Sequence, residues 1–254
     1  MNDEQLAIAG VTQNGLALRY TTNELKNNEP VVAAAVIQNS NALEYASTSL
    51  QNNERVVRIA VTQDGWALQF ASAALKDNER VVIIAVANNG FALKFASERF
   101  RNNEHVVTIA VSQNGIALAY ASDALKNNER VATIAATRDG LALKFASAAL
   151  KNKPEIATAA VTQNGMALQY ASDELRANKW IVTTAVERDG LALLFASGDL
   201  KKNAWVVTTA VTQNGLALQY ASEEMRNHRD VAFIAIGQNW EALEFVSNEL
   251  KNYY

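Results

Sequence analysis

A two-residue signature, Asn-Gly or a close variant, returns every 25 positions along this chain of 254 residues. It falls at Asn14-Gly15, Asn39-Ser40, Asp64-Gly65, Asn89-Gly90, Asn114-Gly115, Asp139-Gly140, Asn164-Gly165, Asp189-Gly190, Asn214-Gly215 and Asn239-Trp240. Fixed internal repetition means that one supersecondary unit is copied and that copies bury each other's apolar faces. The chain therefore reads as a single repeat domain over 1–254. Its copies are 3–27, 28–52, 53–77, 78–102, 103–127, 128–152, 153–177, 178–202, 203–227 and 228–252, with Tyr253 and Tyr254 left over.

The apolar places of each copy decide what the unit is. In the third copy they are Val56, Val57, Ile59, Ala60 and Val61, then Ala67, Leu68, Phe70, Ala71 and Leu75. Steps of one, three and four wrap one side of a helix. The expectation is an all-α, right-handed or superhelical α-solenoid of ten helix-turn-helix repeats. The alternative is a strand-plus-helix α/β solenoid, because Val-Val-x-Ile-Ala-Val is also rich in strand formers.

Punctuation fits two helices per copy. Asp3, Asn28, Asn53, Asn78, Asn103, Asn128, Asn178 and Asn203 recur where an N-cap is needed, with Lys153 and His228 in the other two copies. Pro154 and Pro30 follow one and two places later, inside the first turn, where a missing N–H costs nothing. Eight of the eleven glycines follow the Asn or Asp, and a left-handed residue ending the first helix is the expected reason. The second helix is expected to run unbroken from about Ala67 to Lys76. The Tyr/Phe series, Phe70 and its equivalents, is expected to be buried. Trp240, Glu241 and Val246 in the last copy, and Thr21-Thr22 in the first, read as end caps.

The run from Val211 to Asn227, Val-Thr-Gln-Asn-Gly-Leu-Ala-Leu-Gln-Tyr-Ala-Ser-Glu-Glu-Met-Arg-Asn, has a cousin in every copy. This motif resembles the repeat of domain of unknown function 4116. The resemblance covers the whole chain. It implies tandem helical repeats of the kind seen in bacterial and protist proteins, some of them candidate effectors of intracellular pathogens. It implies no activity and no catalytic residues. Copies so alike also fit recent duplication or a consensus-type design.

Composition excludes several functions. With no cysteine there are no disulfides, thiolate metal sites or cysteine nucleophiles, and a reducing cytosol is the default location. Export as an effector without a recognisable signal is the alternative. A net charge of −3 supplies no field for a polyanion, and no apolar run approaches a membrane span. The two histidines, His105 and His228, stand five copies apart and share no metal. Ser72 and its equivalents have no histidine partner; small size and a bond back to a helix carbonyl account for them. No cofactor and no enzymatic activity are expected.

Basic residues recur at Lys26, Lys76, Arg101, Lys126, Lys151, Arg176, Lys201, Arg226 and Lys251. At helix C-termini, opposite glutamates at N-termini such as Glu54 and Glu79, they complement helix dipoles. That explanation argues against nucleic acid, which would also need exposed stacking aromatics. The informative positions are those that vary. One outward stripe of the first helices runs Gln5, Pro30, Arg55, Arg80, His105, Arg130, Glu155, Trp180, Trp205, Asp230. Arg55, Arg80, His105, Arg130, Trp180 and Trp205 are the candidate binding surface for a protein or peptide. Trp180 and Trp205 either stand free as hot-spot residues or lie flat on their neighbours. Trp66, Phe91 and their equivalents on the second helix either close the groove or form a second apolar edge. A threonine ladder, Thr108 to Thr208, lies beside the stripe.

Overall fold

The computed structural model describes residues 2–251, so the end of the tenth copy at Asn252 and Tyr253-Tyr254 lie outside the described residues. The fold is an all-α repeat solenoid. No strand occurs among the described residues, which removes the strand-plus-helix alternative. The chain divides into two compact units, Met1–Leu125 and Lys126–Tyr254, each a stack of repeats on one plan.

The third repeat shows that plan. Asn53 sits extended at φ −88°, ψ 113°, and its side chain accepts from the Val56 N–H, opening an α-helix over Glu54–Gln63. Val56, Val57, Ala60 and Val61 on this helix are fully buried. Asp64 then swings the backbone out to φ −148°, ψ 119°, and its side chain accepts from Trp66 N–H to start a 3-10 helix over Gly65–Phe70. After two extended residues, Ser72 caps a one-turn α-helix, Ala73–Lys76, by accepting from Leu75 N–H. Asn78 opens the next long helix. The prolines fall as expected, Pro154 at the first and Pro30 at the second position of their helices. Lys153 and His228 occupy the cap position without a side-chain cap bond.

Three sequence expectations are corrected. The second helix is not continuous from Ala67 to Lys76; it is a 3-10 helix and a separate α-turn, divided at Ala71-Ser72. Ser72 causes the division, because its hydroxyl offers the following N–H groups a partner that a continuous helix would not need. The serine therefore points forward as a cap and not back to a helix carbonyl. It also donates to Asn52 Oδ1 of the preceding repeat at 2.5 Å, while its N–H donates to Gln51 O at 2.9 Å.

The glycine has a different reason from the expected one. None of the described glycines has a positive φ. A Cβ on Gly65 would instead collide with the Ala85 carbonyl oxygen of the next repeat, and one on Gly190 with that of Ala210. The residue is small because a neighbouring backbone lies against it, which is the close-approach use of glycine. Its N–H completes the junction by donating to a side chain of the next repeat, Gly65 to Asn88 Oδ1 at 2.8 Å and Gly190 to Gln213 Oε1 at 2.6 Å.

The third correction concerns the aromatic series, which is half-buried: Phe70, Phe95, Tyr120, Phe145 and Tyr170 all keep part of the ring in solvent. Six-residue 3-10 helices are too narrow to cover a ring on every side. Neighbouring repeats supply edge contacts, Trp66 on Phe95 at 5.0 Å and Phe91 on Tyr120 at 6.2 Å. The Trp66/Phe91 positions thus close the space between repeats, and they too are half-buried.

These assignments predict opposite effects for two Gly→Ala changes. Gly190→Ala should destabilise by about 1–3 kcal/mol through overpacking against Ala210. Gly10→Ala, inside the helix Asp3–Gln13 with nothing within 4 Å of the added carbon, should stabilise by about 0.5–1 kcal/mol. Urea denaturation midpoints measure both, and a neutral Gly190→Ala would contradict the packing. Ser72→Ala should cost about 0.5–2 kcal/mol by the same measurement.

Candidate binding surface

The second residue of a long helix is the place this fold leaves to solvent. The cap precedes it, and the third and fourth residues turn into the core, as Val56 and Val57 do. Arg55, Arg80 and His105 in the first unit, and Arg130, Trp180 and Trp205 in the second, all hold this place and all are exposed. The stripe read from sequence is therefore a real surface feature within each unit.

Its two chemistries differ in how free they are. The Arg55 guanidinium pairs with Glu29 Oε1 of the preceding repeat at 3.1 Å, and Arg58 lies 3.9 Å from Glu54. In the second unit Lys153 donates to Glu129 Oε2 at 2.7 Å, and this bond, with the glutamate's charge, raises the lysine pKa. Arg55 on the stripe, and charges beside it, are thus answered locally. The tryptophans are not: Trp180 and Trp205 are each 64% exposed, so neither lies flat on its neighbour. Their helices, Lys179–Arg188 and Ala204–Gln213, pack side by side. Thr184 and Thr209 donate their hydroxyls to the Trp180 and Trp205 carbonyls at 3.0 and 2.8 Å.

Sequence reasoning passed over Phe233, which is 68% exposed. It stands one helical turn beyond Asp230, at the place that Thr158, Thr183 and Thr208 hold in earlier repeats. That break in the threonine ladder was the signal. With Trp180 and Trp205 it gives the second unit three exposed aromatics in consecutive repeats. The threonines of the ladder are half-buried and present no open hydroxyl lattice.

The opposite edge is committed to structure. Lys251 Nζ donates to the Glu244 carbonyl at 2.9 Å, and Gln51, which replaces the basic residue in its repeat, donates to Leu43 O and Glu44 O at 3.2 and 3.1 Å. At these two places the side chain serves the C-terminal carbonyls of its own 3-10 helix, whereas Arg176 of the ladder pairs with Asp173. Burial lowers the pKa of Lys76, and burial and then the nearby Arg176 lower that of Lys201. Half-exposed rings lie beside two cations outside the ladder, with Lys94 over Phe95 and Lys144 over Phe145 at 5.7 Å each. His105 is exposed, and His228 sits at a helix start without capping it.

Because Arg55 is 79% exposed, its pair with Glu29 is screened by solvent. Arg55→Ala should therefore change unfolding free energy by less than about 1 kcal/mol, and a larger loss in denaturant titration would make the pair structural.

No helix of the described residues is long and apolar enough to cross a membrane. A family model described as "Domain of unknown function (DUF4116)" matches residues 3–51, 34–76, 53–101, 78–126, 103–151, 153–201 and 206–251. No curated protein and no solved structure matches the chain.

Proposed function

The chain belongs to the DUF4116 family of tandem helical repeats, and from that premise we propose that it is a non-enzymatic binding or scaffolding protein that engages a protein or peptide through the outward stripe of its long helices. The observation that carries this reading is the pair Trp180 and Trp205, 64% exposed on adjacent helices. Exposed aromatics grouped on one face mark interaction sites, and tryptophan dominates interface energetics. Phe233 extends the patch, so the partner it fits has apolar or aromatic side chains to lay across neighbouring helices. The serine hydroxyls support the non-enzymatic reading. Most accept from a cap N–H and donate to an asparagine of the repeat before, which is no base; Ser97, which makes no cap bond, donates to Asp77 instead. The lack of cysteine is compatible with a reducing cytosol.

The test begins with affinity capture of a partner and ends with titration of the double variant Trp180→Ala, Trp205→Ala. Loss of about 2 kcal/mol or more of binding energy, roughly 30-fold in Kd, is expected. Both side chains are outside the core, so the circular dichroism spectrum should not change. Full affinity in the double variant would defeat the assignment of this surface. Capture of nothing above background would favour a purely architectural repeat. Retention on heparin or RNA that falls steeply with salt would favour a polyanion partner instead.

A further inference from the structure

Four of the five repeat glycines that follow an asparagine provide an internal comparison. Gly15, Gly90 and Gly215 each donate their backbone N–H to a glutamine of the next repeat, Gln38, Gln113 and Gln238, at 2.6, 2.7 and 2.5 Å. In the repeat after Gly165 the corresponding residue is Arg188, a side chain with no acceptor atom. Gly165 is buried against the Ala185 and Asp189 backbone, and its N–H makes no hydrogen bond among the described residues. In other respects the four sites match. Asn164 has φ −149° and ψ 110° against −150° and 108° at Asn214, and −144° and 108° at Asn89. Each asparagine Oδ1 accepts from the N–H two residues on, from Met166 at 3.0 Å and from Leu216 at 3.1 Å.

We propose that Asn164-Gly165 is a site of spontaneous covalent modification, in which the glycine nitrogen closes on the asparagine side chain and converts it to aspartate and isoaspartate. The Gly165 nitrogen, having lost its proton to hydroxide, attacks Asn164 Cγ. A C–N bond forms, and the side-chain nitrogen leaves as ammonia with protons drawn from water. The resulting five-membered imide is then opened by water. Attack at the side-chain carbonyl breaks the new C–N bond and gives aspartate. Attack at the main-chain carbonyl breaks the original peptide bond and leaves the chain running through Cγ, as isoaspartate. One water enters, one ammonia leaves, and nothing is oxidised or reduced.

Three features favour this site. Glycine puts no Cβ in the path of the attacking nitrogen. The Met166 N–H is already aimed at the oxygen that gains charge during attack. At Asn14, Asn89 and Asn214 the glycine nitrogen must first give up a hydrogen bond that holds its peptide plane; at Asn164 it has none to lose. The aspartate product is tolerated by this fold, since Asp64, Asp139 and Asp189 occupy the same place and accept the same bond at 2.9, 3.0 and 3.0 Å. Isoaspartate adds a backbone carbon where Gly165 meets Ala185, on the helix that carries Trp180.

The experiment follows the intact chain at mildly alkaline pH by mass spectrometry of its tryptic peptides over time, reading amide-to-acid conversion at each asparagine. Asn164 is expected to convert about 2- to 10-fold faster than Asn14, Asn89 and Asn214, the range spanned by the net worth of one hydrogen bond. Arg188→Gln, which restores the residue of the sister repeats, should bring Asn164 down to their rate, and Gln238→Arg should raise Asn214. Equal rates at the four sites, or an unchanged Asn164 rate in the Arg188→Gln variant, would overturn the proposal.

Discussion

Within each unit the distance between repeats is set where the first residue of a 3-10 helix meets the backbone of the next repeat's long helix. A Cβ there would overlap the carbonyl oxygen of Ala85 or its counterparts, so the contact exists only if that residue is almost nothing but backbone. Apolar burial supplies most of the free energy, since each fully buried valine or leucine contributes about 1.5–3 kcal/mol and every repeat has several. Burial alone has no direction. The backbone-to-backbone stop, with the glycine N–H donating to a glutamine or asparagine across it at junctions such as Gly15 and Gly65, gives the stack its register.

The other polar positions follow from that stop. Once the 3-10 helix is held against the next repeat, its C-terminal carbonyls face the basic ladder. The chain must then leave it in extended conformation before it can turn again. Ser72 and its equivalents start that turn and also reach the repeat behind, Ser47 to Asn27 and Ser172 to Asn152 among them. Junctions of this kind are therefore tied on both sides by side-chain hydrogen bonds, from a glycine N–H on one side and a serine hydroxyl on the other. The bonds are individually worth about 1 kcal/mol. Their value is geometric, because they can be satisfied only at one spacing and one rotation between repeats.

The sequence showed the parts of this that depend on periodicity. Repeat length, helix class, the caps at Asn53 and most of its equivalents, both proline placements and the outward stripe of the long helices could be read from spacing and residue type, whereas the freedom of Trp180 and Trp205 from their neighbours could not. What it concealed has a common cause. A glycine after an asparagine is equally consistent with a left-handed backbone and with close approach of a second chain segment. Only the position of Ala85 distinguishes them, and that is a contact 20 residues away in sequence. Likewise Ala-Leu-Gln-Phe-Ala-Ser-Ala-Ala-Leu-Lys has good helix propensity throughout, and a serine within it is read as interior unless the preceding turn is known to be held in 3-10 form. Phe233 was missed for the opposite reason. It is a single departure in an otherwise regular column of threonines, Thr158, Thr183 and Thr208, which periodicity alone does not single out.

The location of the proposed binding surface is a consequence of the same economy. The edge formed by the 3-10 and short helices has Lys251 on a carbonyl, most of its serines on caps and aromatic rings such as Trp66 and Phe95 in contact between repeats. A mutation there disturbs a junction. On the long helices the second residue touches neither the core nor a neighbouring cap, so it can change from arginine to histidine to tryptophan without altering the stack. Exposed tryptophan at such a place gives nothing to folding, since the indole is not buried and no junction needs it. Two of them in consecutive repeats, with a phenylalanine in the next, form an exposed aromatic group of the kind that marks interaction sites, and the proposed function rests on it.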